Sequence, residues 1–480
     1  MIAYIRIIVA QIYLYIGDTG DRMKIDFTYF YPIYGAENSF ICLLAAVLFL
    51  LAVISFVKSK FDVLNPSFIY CVCMAGFCML AALYTEEWDL PMHYNTAGIM
   101  IVMSILFLLG GHMAEYCCST SKDILLKKEC EVSQGFFISW PIWIFFIVLL
   151  LSFAYLSYTE FLTAASRVTT ETEFTKMLKP FINGLAHQQI IMSRWNSYRF
   201  RFAKGMAYLS ILAVWINIMA HQYKEVIKWS CFILLFIPFM ILTGGRQQFM
   251  YLVMFAMVSF FLVYRKSYRG RSMLSQELMI IGIALVAFLF CFLGIGVING
   301  KIGSNTSFLN VLVHYAGTNI SAFDVYINEM VMPDTKYIGT TTLDPIYIFL
   351  NNHGFDVPRF YQYITLFTAF GPVTTNVYTA FYRYIHDFGY LGCGMVMILL
   401  GFFYTYMYRQ LYLHGLKNWM ILIYASIVYP IFLMGREERF FNEILTTGKI
   451  SFLIEVIVLY KFFEFLSKRR MFKDEFKFHH

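Results

Sequence analysis

Three arginines stand at the ends of long apolar runs, where a permanent charge is costly unless it is hydrated, paired or put to use. Arg246 closes the stretch Thr243-Gly244-Gly245-Arg246 between two such runs. If Arg246 opens a helix, that first turn carries unpaired N–H groups and a partial positive charge. Two glycines let a ligand approach the backbone, Thr243 is placed to cap or donate, and the guanidinium adds a two-pronged donor suited to phosphate oxygens. These parts make an anion site. They also fit a plain turn whose glycines set the bend and whose arginine snorkels to lipid headgroups. The other two arginines lie in Gly435-Arg436-Glu437-Glu438-Arg439-Phe440-Phe441. Arg436 and Arg439 are three apart, so on a helix they share a face. A local network with Glu437 and Glu438 is the competing reading. If Arg246, Arg436 and Arg439 converge, they suit a diphosphate. Arg194 and Arg199, in a basic, Tyr-rich stretch at 194–204, are further candidates.

A second chemical stretch runs from Thr374 to Gly392 and contains Asn376-Val377-Tyr378-Thr379 and Asp387-Phe388-Gly389. Its mixture of polar and aromatic groups suits a sugar-binding surface, with Asn376, Tyr378 and Thr379 as contacts. Asp387 beside Gly389 also fits a simple helix start, and His386 fits an interfacial histidine. Glu87-Trp88-Asp89 is an acid-x-acid pattern of the kind that can hold a divalent cation, but one short match is weak. Cys71-x-Cys73 and Cys117-Cys118 lack zinc-site spacing and a histidine partner. No metal and no cofactor are expected.

The elements that must position these groups follow from composition. The chain has 480 residues, is 59% hydrophobic and only 14% charged, with mean hydropathy +0.63. A soluble domain cannot hide that much apolar surface, so the chain reads as an all-α polytopic membrane protein. Helices satisfy their own backbone in lipid, and the apolar runs are too uniform for barrel strands. Expected spans are 39–57, 65–84, 96–115, 136–158, 206–220, 226–243, 247–264, 278–298, 388–408, 418–434 and 450–466. Residues 1–16 are apolar but short and contain Arg6, which fits an extra span, an interfacial helix or sequence ahead of a start at Met23; no cleavable signal peptide is evident.

Lysine and arginine set the orientation. Lys58, Lys60, Lys127, Lys128, Lys224, Lys228, Arg265, Lys266, Arg409, Lys417 and the tail fall in short loops, which are therefore placed in the cytoplasm. The acidic stretch 85–91 and the long connections 159–205, 299–387 and 435–449 then lie outside. The cations of 159–205 (Arg167, Lys176, Lys179, Arg194, Arg199 and Arg201) break the pattern, so either the orientation fails there or those charges serve a purpose. All ten cysteines fall in spans or cytoplasmic loops, away from oxidising conditions. The net charge of +7 comes without a dense basic tract, which argues against nucleic acid as a partner. The connection 299–387 is long enough to be functional. Its apolar segments are expected to form short helices at the external surface over a cavity.

The order of these features resembles the Wzy-type oligosaccharide repeat-unit polymerases, which include bacterial O-antigen and capsule polymerases. Asn65-Pro66 opens an early span, TGGR is followed by Gln247-Gln248, and a large external loop comes next. Asn376-Val377-Tyr378-Thr379, Asp387-Phe388-Gly389 with Gly392, and Glu437/Glu438 with Arg439-Phe440-Phe441 follow before the last span. The resemblance covers most of the chain from about residue 65; residues 1–38 and 194–204 have no counterpart. It implies a GT-C-like, metal-independent glycosyltransferase of the bacterial inner membrane with its site facing the periplasm. Such an enzyme transfers a growing glycan from an undecaprenyl diphosphate carrier onto another carrier-linked repeat unit, and a chain-length regulator is a possible partner. Fixed cations aimed at the leaving diphosphate lower the barrier, and arginine keeps its charge at a membrane edge. The acceptor hydroxyl needs a base; the external choices are His314, Asp324, Asp344, His353 and Asp387, with His314 and Asp387 preferred. His314 also fits a structural histidine, and Asp387 also fits a residue that only fixes its loop.

Two other functions compete. An O-antigen ligase would use the same donor with lipid A core as acceptor. A flippase for lipid-linked sugars would show paired halves and polar groups near the bilayer midplane; no repeat is visible here.

Overall fold

The computed structural model describes residues 38–118, 135–186, 189–243, 246–268, 276–283, 286, 307–329, 338–357 and 367–478. Helices α1 (Asn38–Lys58), α2 (Pro66–Ala82), α3 (Tyr94–Cys117) and α4 (Trp140–Ala165) come first, followed by the short α5 (Phe174–Ala186). Then come α6 (Arg194–Met219), α7 (Tyr223–Leu242) and α8 (Arg246–Ser267). Three short helices follow, α9 (Phe308–Ala316), α10 (Thr318–Glu329) and α11 (Asp344–Asn352). A two-strand antiparallel hairpin, β1 (Thr368–Phe370) and β2 (Val373–Thr375), pairs Thr368 with Thr375. The chain closes with α12 (Ala380–Leu413), α13 (Asn418–Ile427), α14 (Tyr429–Leu433), a π-helical turn (Phe440–Ile444) and α15 (Thr447–Phe478).

Seven helices among the described residues are long and apolar enough to cross a membrane: α1, α3, α4, α6, α7, α8 and α12. Two shorter apolar stretches, Pro66–Ala82 and Asn418–Leu433, accompany them. This is the architecture of an all-α polytopic membrane protein. The outer faces of α1 and α4 leave Leu43, Phe49, Leu50, Ile144, Phe145, Val148 and Leu151 exposed. In water those rows would be costly; in lipid they are matched to their solvent. Local sequence explains the helix starts. Asn65 caps α2 by accepting from Ser67 N at 2.9 Å, and Pro66 occupies the first turn, where no N–H is needed. Ser193 caps α6 in the same way through Asn196 N at 3.1 Å.

Packing has two centres. Helix α6 lies among α7, α8 and α15, and its residues from Ala203 to Val214, except Lys204, are buried. Helix α3 runs along α12, where Gly110 and Gly401 face each other. A Cβ at Gly401 would collide with the carbonyl of Phe107, and one at Gly110 with the carbonyl of Ile398. Small residues let membrane helices approach to backbone contact, and here nothing larger than hydrogen fits.

Several sequence expectations change. Residues 194–205, read as loop, are the first turns of α6. The helix survives its charges because Arg199 and Arg201 reach Glu160 at 2.6 Å and Glu455 at 3.1 Å on neighbouring helices. The expected span 418–434 breaks at Val428 before Pro430. Helix α10 does not lie on the surface; Thr318 to Tyr326 are all buried. Helix α12 begins at Ala380, ahead of the expected 388, and is interrupted at Gly389, whose φ of 65° favours glycine. The expectations for residues 1–16, for most of 278–298 and for Cys130 and Cys291 fall outside the described residues.

Candidate active site

The end of α8, the α1–α2 loop and the end of α12 come together through Arg265, Asp62 and Tyr408, among the basic loops. The opposite end holds the start of α8, the start of α12, the segment 434–446 and the start of α15. There the separated motifs meet. Gln247, next to Arg246, donates to Glu443 Oε1 at 2.9 Å. Tyr251, one turn along α8, donates to the same oxygen at 2.8 Å, and Tyr429 of α14 donates to Glu443 Oε2 at 2.6 Å. Arg439 completes the set with Nη1 2.6 Å from Glu443 Oε1. Gly244, Gly245 and the Arg246 side chain lie outside the described part. Thr243 donates its hydroxyl back to Met240 O at 2.7 Å, so it closes α7 instead of capping α8.

Arg436 and Arg439 do not share a helical face, because 437–439 is not helical; they bracket Glu437 instead. Arg439 Nη2 is bonded to Glu437 Oε2. Arg436 Nε faces Glu437 Oε1 at 3.5 Å without a hydrogen bond. Burial alone would raise the Glu437 carboxyl, but the flanking Arg436 and Arg439 outweigh it and hold it below its ordinary value. Glu438 turns the other way. It accepts from Phe441 N at 2.7 Å and Asn442 N at 3.0 Å, capping the π turn, and from Tyr384 OH at 3.3 Å. Burial pushes its carboxyl up, against the opposing pull of Asn442 and Arg383.

The second motif docks onto the first. Ala380 N donates to Met434 O at 2.9 Å, which ties the start of α12 to the arginine segment. Thr379 caps α12 from a buried position, its hydroxyl without a partner. Tyr378 bonds Thr368 Oγ1 at 3.0 Å and stacks on Tyr382 with ring centres 4.8 Å apart. Asn376 lies between β2 and α12. Asp387 accepts from Thr341 N at 3.1 Å and Thr341 Oγ1 at 3.0 Å, and also from Thr342 N. It therefore holds the 340–342 turn in place, and it does not start a helix. That turn in turn presents Thr341 O to Arg383 Nη1 at 2.6 Å and to Asn442 Nδ2 at 3.3 Å.

The remaining base candidates differ sharply. Asp324 is locked to the start of α3, accepting from His93 N at 2.8 Å and facing His93 Nδ1 at 2.7 Å. His353 Nδ1 lies 2.8 Å from Phe349 O at the end of α11. His314 Nε2 meets Thr374 O at 3.0 Å. A carbonyl only accepts, so Nε2 carries a proton, and in the neutral ring Nδ1 then keeps a lone pair. Asp344 is buried in the first turn of α11, with Oδ1 unpartnered. Burial raises its carboxyl above the ordinary value, and the charge of Arg383 opposes that rise without cancelling it.

Arg199 is engaged by Glu160 and by Ser157 Oγ at 3.2 Å, away from this cluster. Arg194 is exposed at the start of α6. Glu87 and Asp89 are exposed, and no group of three metal-ligating side chains occurs among the described residues. Sequence reasoning passed over Arg383, Lys204, Glu443 and Lys449. Lys204 of α6 donates to Gln248 Oε1 at 2.8 Å, and Lys449 of α15 to Ser426 O at 2.8 Å. The only sequence signal for them was a cation or carboxylate within a turn or two of a span end. Six buried side-chain atoms without a hydrogen bond gather in the region: Thr379 Oγ1, Asp344 Oδ1, Arg436 Nε, Glu437 Oε1, Arg439 Nε and Asn442 Oδ1. Buried polar atoms are nearly always paired, so this concentration leaves bonding capacity for water or for a polar ligand. No family model, curated protein or solved structure matches this chain.

Proposed function

We propose that this protein is a polysaccharide polymerase. It joins oligosaccharide repeat units linked to undecaprenyl diphosphate at the periplasmic face of the bacterial inner membrane, in a GT-C-like arrangement. The observation that carries the reading is the meeting of three motifs far apart in sequence at one end of the helix bundle: the start of α8 after TGGR, the Arg436–Arg439 segment, and the Thr379–Asp387 entry to α12. Their gathering at one end of the helix bundle, with unpartnered polar atoms among them, favours an enzyme over a carrier with a midplane site.

In this reading an acceptor sugar hydroxyl attacks the anomeric carbon of the donor glycan. The bond from that carbon to the diphosphate oxygen breaks, and the carrier diphosphate leaves with the electron pair. Arg246, Arg436 and Arg439 stabilise the charge that grows on it. Asp344 takes the hydroxyl proton. Its free Oδ1 and raised affinity for protons suit a base better than Asp387, whose oxygens are occupied by the 340–342 turn. His314, with Nδ1 open, is the second choice. Tyr378 and Tyr382 offer stacked rings to a sugar.

The test is reconstitution of the purified protein in liposomes with lipid-linked repeat unit as sole substrate. Growth of a glycan ladder is expected, and Arg439→Lys, which keeps charge but loses the fork, should shorten it strongly. Translocation without growth would instead make the protein a carrier. Transfer only to added lipid A core would make it a ligase.

A further inference from the structure

The arginines at this site are largely neutralised by glutamates, whereas two lysines beside them are not. Among the described residues, Lys204 and Lys449 have no carboxylate within ion-pair distance. Each ammonium has three N–H donors and spends one, on Gln248 Oε1 and on Ser426 O. Both stand over the ring of Phe452, at 5.2 and 5.0 Å from its centre. Lys204 also faces Tyr208 at 5.6 Å and Tyr251 at 5.9 Å, and Lys449 faces Tyr429 at 4.9 Å. The aromatic faces attract the cations, yet the two like charges repel one another in a partly buried setting.

Arg436 and Arg439 bracket Glu437, and Arg439 also meets Glu443, the carboxylate nearest both lysines. The carboxylates are thus taken up by the arginines, and the two lysine amines keep none of their own among the described residues. Gln248 and Lys449 both belong to the first turns of their helices, α8 and α15, so two helix N-termini add to the same potential.

The geometry points to Lys204 and Lys449 as the seat of a phosphate-bearing lipid headgroup carrying about two negative charges, with the arginine–glutamate network as its wall. The seat rests on the polymerase reading only for the identity of the carrier; its existence is tested without catalysis. Inorganic pyrophosphate is the probe, with the full-length protein in detergent. Wild type is expected to bind it. Lys204→Met and Lys449→Met keep the aliphatic stem over the rings, and each should weaken binding by ~10-fold or more, the range of one charge-assisted hydrogen bond. Lys204→Arg and Lys449→Arg should bind within a few-fold of wild type. Amine acylation read by mass spectrometry gives an independent measure on wild type: pyrophosphate should protect both lysines.

No binding by wild type, binding unchanged in the Met variants, or binding without protection of either lysine overturns the seat. In nanodiscs, a polyprenyl diphosphate should displace pyrophosphate far better than phosphatidylglycerol does, and equal displacement overturns the match to a doubly charged headgroup. Binding through the lysines in a protein that grows no glycan would leave the seat standing and remove the polymerase reading.

Discussion

The two ends of the helix bundle each bury an arginine cluster, and they are built on opposite plans. At the basic-loop end, Arg265 is 2% exposed. Its Nε and Nη2 meet Glu277 at 2.8 and 3.0 Å, and Nη1 meets Asp62 at 2.6 Å, Tyr408 OH at 2.8 Å and Tyr412 OH at 2.9 Å. Tyr408 returns to Asp62 at 2.8 Å. No side-chain atom of Arg265, Asp62 or Glu277 is left buried without a partner, although Arg409 Nε and Tyr424 OH at the same end are. At the other end, six such atoms collect and, among the described residues, two lysines have no carboxylate within ion-pair distance. A closed network ties helices together. An open one of the same residue types has capacity for something that is not part of the chain. Buried charge alone therefore says little about function; the bonds left unmade say more.

If the closed network is structural, breaking it should damage the fold first. Arg265→Ala strands Glu277 and Asp62 beside each other and should cost about 3–5 kcal/mol, seen as loss of folded protein or a large drop in thermal midpoint in detergent. Arg265→Lys should recover little, because a single ammonium cannot reproduce the fork to Glu277. A variant that folds like wild type would erase the contrast between the two ends.

The open network should behave in the reverse way. Asp344→Asn should reduce chain growth by about 10²–10⁴-fold, the range of a lost general base, while thermal stability holds or rises. The sign follows from the raised proton affinity of Asp344. A carboxyl that binds protons more tightly folded than unfolded contributes stability at low pH. That contribution is lost as pH rises through its raised folded value. The wild-type protein should thus gain stability relative to Asp344→Asn on acidification, and its activity should fall over the same window, above the ordinary aspartate range. Full activity in Asp344→Asn would pass the role to His314.

How much of this could be read beforehand depends on how local each cause is. The membrane class and most helices follow from apolar runs, and the α2 start follows from Asn65-Pro66, because those causes act within one turn or one span. The first turns of α6 were hidden because Arg199, Arg201 and Lys204 look like loop charges until Glu160, Glu455 and Gln248 are brought beside them by other helices. The arginines of the 435–449 segment were legible by type and position. Their glutamate partner Glu443, and the lysines beside it, were not, since that arrangement depends on which helix ends become neighbours. Asp387 shows the same limit: its sequence neighbour Gly389 pointed to a helix start, whereas its partners lie in the 340–342 turn.

Two smaller effects sharpen the comparison further. Gly401→Ala places a methyl group against the Phe107 carbonyl at the α3–α12 crossing, far from either polar cluster in kind. Overpacking of this sort should cost about 1–3 kcal/mol, with glycan growth falling only in step with the folded fraction. Arg194→Ala is the control at the lower limit. Arg194 is exposed at the first position of α6, where a positive charge beside the helix N-terminus is mildly unfavourable. Its removal should shift stability by less than about 0.5 kcal/mol and leave both the glycan ladder and pyrophosphate binding as they are. A shortened ladder from Arg194→Ala with unaltered stability would show that the anion path extends along α6 from Lys204 to its exposed start, and that the open network is larger than the cluster around Glu443.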